Sequence, residues 1–339
     1  MESKKSGIAS TQMNQLSTLH FTKGLKNKID IVTLGPILGL VAITIIFSII
    51  APNFFSLENI PNILRQVSVI GVMAIGITFV IILGEIDLSI ASTMAISGLV
   101  AGALSIGGYG LGFELPVIFA IAGALVVGTV FGIISGIANA KLKIPSFIAT
   151  IAMMYIIDGI ALWFSGAQPL YGLPNSLQWF GSGKIFGLPV IVLVFAVVFI
   201  ISHIILSRTA FGRNLYAIGG NEEAARMSGI HVDRHKIAAL AISGFLCALA
   251  GIMMLGRIGS AQVTVGAGLM LPPIAGVILG GTSLFGGVGS MWRTLVGVLL
   301  MGVLVNGLNL LGVGTDGQNL ATGIVLFVAL ALNVIDSRK

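Results

Sequence analysis

Residues 31–50 read IVTLGPILGLVAITIIFSII, without a charged side chain. A helix needs about 20 apolar residues to cross a hydrocarbon core, and this run has that length. It follows a tail of about 30 residues and reads as a true span, not a cleaved signal. Further runs recur to the end of the chain, at 64–83, 88–106, 115–138, 147–165, 187–206, 237–256, 271–284, 290–309 and 318–335. The expectation is an all-α polytopic membrane protein with about ten transmembrane helices. The run 271–284 is short for a span and marks a candidate discontinuous helix, with a similar break between the second and third segments.

Composition excludes other classes. Of 339 residues, 56% are hydrophobic and 9% charged, against about 25% charged in a soluble domain. There is too little charge to coat a soluble enzyme, a disordered chain or a nucleic-acid-binding surface. Cys247 stands alone, so no intramolecular disulfide or metal-binding cysteine cluster exists. The 46 glycines include runs four apart, Gly98/Gly102, Gly128/Gly132/Gly136 and Gly276/Gly280. That spacing lets helix backbones approach closely in lipid.

Charge sets the orientation. With the N-terminus in the cytoplasm, 15 of the 18 Lys and Arg fall inside and three, Arg65, Lys184 and Arg257, outside. This matches the positive-inside bias and places both termini in the cytoplasm. The inside then carries 15 basic against 8 acidic residues and the outside three against three, with Asp158 in the membrane. The net +6 is orientation charge. The chain divides into a cytoplasmic tail (1–30), a transmembrane domain (31–335) and, within it, a cytoplasmic loop (207–236).

Two stretches look duplicated. Val80-Ile81-Ile82-Leu83-Gly84 with Leu88 parallels Gly276-Val277-Ile278-Leu279-Gly280 with Leu284; Phe131–Asn139 parallels Met301–Asn309 in the same order. Two internal pseudo-repeats are expected, as in many transporters.

No engine for chemistry is present. The Gly183-Lys184 pair lacks the glycines and hydroxyl of a phosphate-binding loop. Gly312-Val313-Gly314-Thr315-Asp316-Gly317 has dinucleotide-site spacing but no strand before it, and reads as a turn. His231 and His235 lie in a basic loop without a metal motif. No catalytic, cofactor or metal residue is expected.

Two features stand out. In the long inner loop, Asn221 can cap a short helix, Glu222 and Glu223 suit its positive end, and Gly229 can close it. A two-turn helix needs support, either from the membrane surface or from a cytoplasmic partner. The second feature is Gly84-Glu85-Ile86-Asp87-Leu88-Ser89, two carboxylates in an apolar hairpin. Two readings fit: the acids reach water and Asp87 or Ser89 caps the next helix, or they serve transport. Asp158 is the one acid with no place in a loop. It lines a watery path or pairs with a polar neighbour.

These residues resemble permease subunits of ABC importers of the ribose/xylose/galactoside class. The resemblance covers nearly the whole chain after residue 50. It rests on Pro52-Asn53-Phe54-Phe55, Ile86-Asp87-Leu88-Ser89, Pro145–Thr150, Gly212–Glu222, Ser228-Gly229-Ile230, Ser260-Ala261-Gln262, Gly280–Leu284 with Gly286-Gly287, and Asn306–Val313. It implies a ten-helix permease in the cell membrane, paired with a second permease subunit. It further implies cytoplasmic ATPase subunits, which supply the missing engine, and an external sugar-binding protein. The coupling element would be carried by Asn221, Glu222, Glu223, Ala225, Arg226 and Gly229. The pathway candidates are Asp87, Ser89, Asn139, Asp158, Gln262, Asn306 and Asn309. The sequence departs from the family pattern at Glu85 and Ala91, where glycines are usual, at Met270-Leu271-Pro272-Pro273, where a Glu-Leu-Asp element is usual, and at Asp158, where Arg is common. The substrate is therefore open among pentoses, hexoses, polyols and sugar-like signals. An ion-coupled secondary transporter is the alternative, and a membrane-embedded enzyme a more distant one.

Overall fold

Proline starts four of the helices. Pro116, Pro145, Pro174 and Pro189 each sit one residue before a helix with φ between −50° and −60°. The ring presets that angle where no amide hydrogen is needed. In the computed structural model, residues 31–337 are described. The expected tail, 1–30, lies outside the described residues, as do Arg338 and Lys339. The chain divides into units Met1–Gly35 and Pro36–Lys339; of the first only residues 31–35 are described, and all packing below belongs to the second.

The helices are α1 (Ile31–Ile50), α2 (Asn59–Ile82), α3 (Ile90–Ile106), α4 (Val117–Ala140), α5 (Ser146–Ser165), α6 (Asn175–Ser182), α7 (Val190–Arg208), α8 (Ala210–Gly220), α9 (Glu222–Met227), α10 (Val232–Ile258), α11 (Leu271–Leu279), α12 (Met291–Leu310) and α13 (Thr315–Ser337). Six of them, α2, α4, α5, α7, α10 and α12, are long and apolar enough to cross a membrane. The all-α expectation is modified by one small hairpin, in which β1 (Lys184–Ile185) pairs antiparallel with β2 (Leu188–Pro189). The apolar run read from 187 therefore becomes helix only at Val190, once Pro189 has closed the hairpin.

Burial separates a central helix from a lipid-like shell. α2 is buried along almost its whole length, and α10 packs against α2, α3 and α4. The glycine spacing on α4 makes its contact with α10 close. A Cβ on Gly128 would lie 2.6 Å from the Gly244 carbonyl, and one on Gly136 2.7 Å from the Ile237 Cα. By contrast Ile49, Ile118, Trp163 and Ile200, on α1, α4, α5 and α7, are exposed. Apolar side chains turned outward on long helices suit a hydrocarbon solvent.

Two helices stop inside the bundle. α2 ends at Ile82 and α3 restarts at Ile90; α11 ends at Leu279 and α12 restarts at Met291. α11 has nine residues, about 14 Å of rise, half of a hydrocarbon core. Residues 83–89 and 280–290 are called the first and second breaks below.

Candidate functional site

Backbone that leaves a helix within a packed bundle must find its hydrogen bonds elsewhere in the protein. In the first break, Gly84 turns the chain at φ +79°. The extended segment then leans on the first turn of α5. Ser146 Oγ accepts from the Ile86 amide at 3.0 Å, and Thr150 Oγ1 accepts from the Leu88 amide at 3.1 Å. The two hydroxyls lie one turn apart, so one helix face serves both amides.

Asp87 faces inward, 2% exposed. Its Oδ1 accepts from the Ser89 amide at 3.0 Å and from Ser89 Oγ at 2.6 Å; its Oδ2 accepts from Ser243 Oγ of α10 at 2.7 Å. The carboxylate thus sits at the amino end of α3, where the helix dipole favours negative charge. It does not reach bulk water. Ser89 occupies the cap position of α3 without capping through its side chain.

The second break is glycine-rich and closes on backbone. Gly281, Gly286 and Gly287 have φ of +89°, +84° and +72°. The Ser283 amide donates to Val288 O at 3.0 Å, and the Gly287 amide donates across to Ile82 O, the end of α2, at 2.9 Å. Ser290 Oγ accepts from the Arg293 amide at 3.3 Å and starts α12.

The long inner loop joins both breaks. Much of it is helix: sequence reading found α9, while α8 before it was missed. Its Thr209 cap was legible, and Oγ1 accepts from the Gly212 amide at 3.3 Å. At the far end of α8, Gly219 lies against Ile82 O, and a Cβ there would also fall 2.6 Å from the Gly287 amide nitrogen. A Cβ on Gly286 would meet Gly219 O at 2.8 Å and Gly84 N at 2.9 Å. Three backbones therefore touch where only glycine fits. Tyr216 adds a bond, its hydroxyl donating to Gly289 O at 2.8 Å.

From this joint the chain passes through Asn221 into α9. Asn221 Oδ1 accepts from the Ala224 amide at 2.9 Å, and Gly229 takes φ +83° beyond the end. Ala225 is buried against the protein, while Glu223 and Met227 point outward, Met227 85% exposed. Glu222 is held by two cations: Lys236 Nζ at 2.8 Å and Arg226 Nη2 at 3.1 Å. Burial acts to raise the Glu222 carboxyl, but the bonds and charges of Lys236 and Arg226 outweigh it and hold it below its ordinary value. Lys236 also reaches Glu85 Oε1 at 2.7 Å, and Glu85 Oε2 accepts from Asn139 Nδ2 at 3.2 Å. Arg226 and Lys143 both meet Asp233, at 3.2 and 3.5 Å.

The remaining pathway candidates do not gather here. Asn306 exchanges two hydrogen bonds with Asn59, at 2.9 and 3.0 Å, in a buried clasp between α12 and α2. Asn309 accepts from Gln318 Nε2 at 2.8 Å. Gln262 donates to Ser260 Oγ at 2.7 Å and lines a cavity of 10 Å³ between α3 and α10, room for about one water. Asp158 stands part-buried on α5 beside the exposed Tyr155 and Ile156. Lys236, Ser146, Thr150 and Ser243 were not among the candidate site residues, although Ser146 and Thr150 lie in the resembling stretch Pro145–Thr150. Each is an ordinary interfacial or small residue until the fold places it against a break.

The family described as branched-chain amino acid transport system / permease component matches residues 59–330. The ribose import permease of Haemophilus influenzae is 41% identical over 307 residues, 89% of this chain and 93% of that protein. Its Bacillus subtilis counterpart is 43% identical over 302 residues, 88% and 92% of the two chains. The L-arabinose ABC transporter permease of Azospirillum brasilense is 35% identical over 283 residues, covering 84% and 82%.

Proposed function

The chain belongs to the family of branched-chain amino acid transport system permease components, and from its likeness to ribose and L-arabinose permeases we propose that it is the membrane subunit of an ATP-binding-cassette importer for a monosaccharide. It is a multi-pass protein of the cell membrane. A pentose of the ribose type is the first substrate to test, given relatives named for ribose along nearly their whole length. Its partners are a second permease subunit, cytoplasmic ATPase subunits and an external sugar-binding protein. The chain itself is a conduit, and ATP is hydrolysed on the separate subunits.

In this reading ten segments cross the membrane, with both termini in the cytoplasm and two pseudo-repeats. Contacts between loops support their grouping into two sides, and charge assigns which side is inside. Loops assigned inside meet one another, as Lys143 meets Asp233 and the Gly219 segment meets both breaks. Loops assigned outside do the same: Tyr109 donates to Gln168 O at 2.8 Å, and Leu170 pairs with Ala261. The repeat is supported by two helices that stop at a glycine and restart after a serine.

One observation carries the mechanism: the capped, outward-facing α9 leaves directly from a joint that touches both breaks. α9 is the element that docks in the ATPase, with Asn221 and Gly229 bounding it, Ala225 seating it, and Glu222, Glu223 and Arg226 around it. ATPase closure moves α9, and the joint passes the motion to the breaks. Asp87, Ser89 and Asn139 lie near the inner end of the path, Gln262, Asn306 and Asn309 toward the outer end, and Asp158 alongside.

The test is uptake of labelled ribose into proteoliposomes. The chain with its ATPase and binding protein should accumulate sugar only with ATP, and the chain alone should do neither hydrolysis nor uphill uptake. Accumulation driven by an ion gradient without the ATPase would overturn the reading in favour of a secondary transporter.

A further inference from the structure

Lys236 sits near the start of α10, its side chain 11% exposed, between Glu85 at 13% and Glu222 at 43%. Its two bonds, 2.7 and 2.8 Å, span from the first break to the first turn of α9. Asn139 extends the line to the end of α4 through the second oxygen of Glu85. Arg226 extends it across α9 through the second oxygen of Glu222. With Lys143 and Asp233 the network balances three cations against three carboxylates.

We propose that Lys236 is a positioning residue for transport, a charged strut that ties the coupling helix to the first break. The inference rests on the reading of α9 as the ATPase-facing element. Lys236 and Glu85 are largely shielded, so their pair interacts more strongly than a surface pair and is screened less by salt, while the bond to Glu222 lies nearer to water. Glu85 lies two residues before Asp87, in a segment whose amides are fixed to Ser146 and Thr150. A displacement of α9 therefore draws on Glu85 through Lys236, and Glu85 draws on the segment that holds Asp87. The glycine joint alone would carry push between backbones; the strut carries pull. Glu85 is also where this chain departs from the glycine usual in the resembling pattern.

The test uses the full complex of permease, ATPase and binding protein in proteoliposomes, with ribose as the probe. Three variants are compared with the unaltered chain: Glu85→Gln, Lys236→Met and Lys236→Arg. Two quantities are read: ATPase retained on the purified permease, and sugar taken up per ATP hydrolysed. Glu85 is off the coupling helix, so Glu85→Gln should retain the ATPase yet lower uptake per ATP by about fivefold or more. Lys236→Met should do likewise, and Lys236→Arg should restore the ratio to within about twofold. An unchanged ratio in Glu85→Gln and Lys236→Met overturns the proposal. So does loss of the bound ATPase in Glu85→Gln, because Lys236 would then hold the fold instead of transmitting motion. Failure of the unaltered complex to couple ATP to uptake is a different result: it would overturn the parent reading, and the strut with it.

Discussion

The two breaks solve one problem differently. Each interrupts a buried helix at a glycine and restarts it after a serine, Ser89 in one and Ser290 in the other. The first is centred on a carboxylate and held by side chains, with hydroxyls from α5 and α10 serving its amides and Asp87. The second carries no charge from Gly280 to Ser290. Its neighbours reach its backbone instead: Tyr216 and Arg293 donate to Gly289 O and Gly281 O. A break held by side chains fails when a side chain is removed. One held by close backbones fails when a Cβ is added.

The joint shared by both breaks should give the largest effect on transport. Gly219→Ala places a methyl against Ile82 O and the Gly287 amide, neither of which is the end of a flexible chain. Overpacking of this kind costs about 1–3 kcal/mol. Because α8 would have to leave the breaks, ATP-driven uptake should fall by about tenfold or more. Gly220→Ala is the matched control, since its Cβ would meet nothing within 4 Å. Equal uptake in the two variants would show that the close approach plays no part in transport.

Asp87 comes next. Asp87→Ala strands the Ser89 amide, Ser89 Oγ and Ser243 Oγ in a buried place. An unpaired buried polar group costs about 1–3 kcal/mol, and the serine hydroxyls can rotate toward other acceptors, so about 2–3 kcal/mol is expected in total. Thermal melting in detergent measures it. Asp87→Asn keeps the shape and one acceptor and should recover most of the loss. If both variants melt like the unaltered protein, the first break is not organised by this carboxylate.

How much of this was legible follows the same divide. The apolar runs, the glycine spacing on α4 and the Asn221 cap are local patterns with a fixed period or position, and they could be read directly. α8 was missed because Ala210–Gly220 contains three glycines, which argue against helix on propensity; contact with both breaks overrides them. Glu85 and Asp87 were visible as a problem, but their partners lie 151 and 156 residues away, in Lys236 and Ser243. No periodicity links positions that distant. Polarity alone picks out Asn139, Gln262, Asn306 and Asn309, and polarity cannot tell a lining residue from a clasp such as Asn59 with Asn306.

A single hydroxyl tests the first break more gently. Thr150→Val removes the acceptor of the Leu88 amide while keeping the branch of the side chain. The same hydroxyl donates to Ile86 O at 3.2 Å, so two bonds to the break are lost at about 1 kcal/mol each; melting should fall less than in Asp87→Ala and uptake should persist. A drop as large as that of Asp87→Ala would mean that the α5 contact, not the carboxylate, sets the path of the chain.

The smallest expected effect is in the second break. Thr282 is fully buried, and its Oγ1 has no hydrogen-bond partner among the described residues. Its desolvation has therefore already been incurred without return, and Thr282→Val removes the polar atom while leaving the packing against Gly289 intact. Melting should stay within about 0.5 kcal/mol of the unaltered chain, or rise. Asp87 and Thr282 would then stand at opposite ends of one scale, which is what distinguishes a break held by side chains from one held by backbone. A loss of about 1 kcal/mol or more would place a partner on that hydroxyl. Unchanged melting with diminished uptake would assign the partner to another state of the cycle, in which the second break opens and the hydroxyl takes up a bond it lacks here.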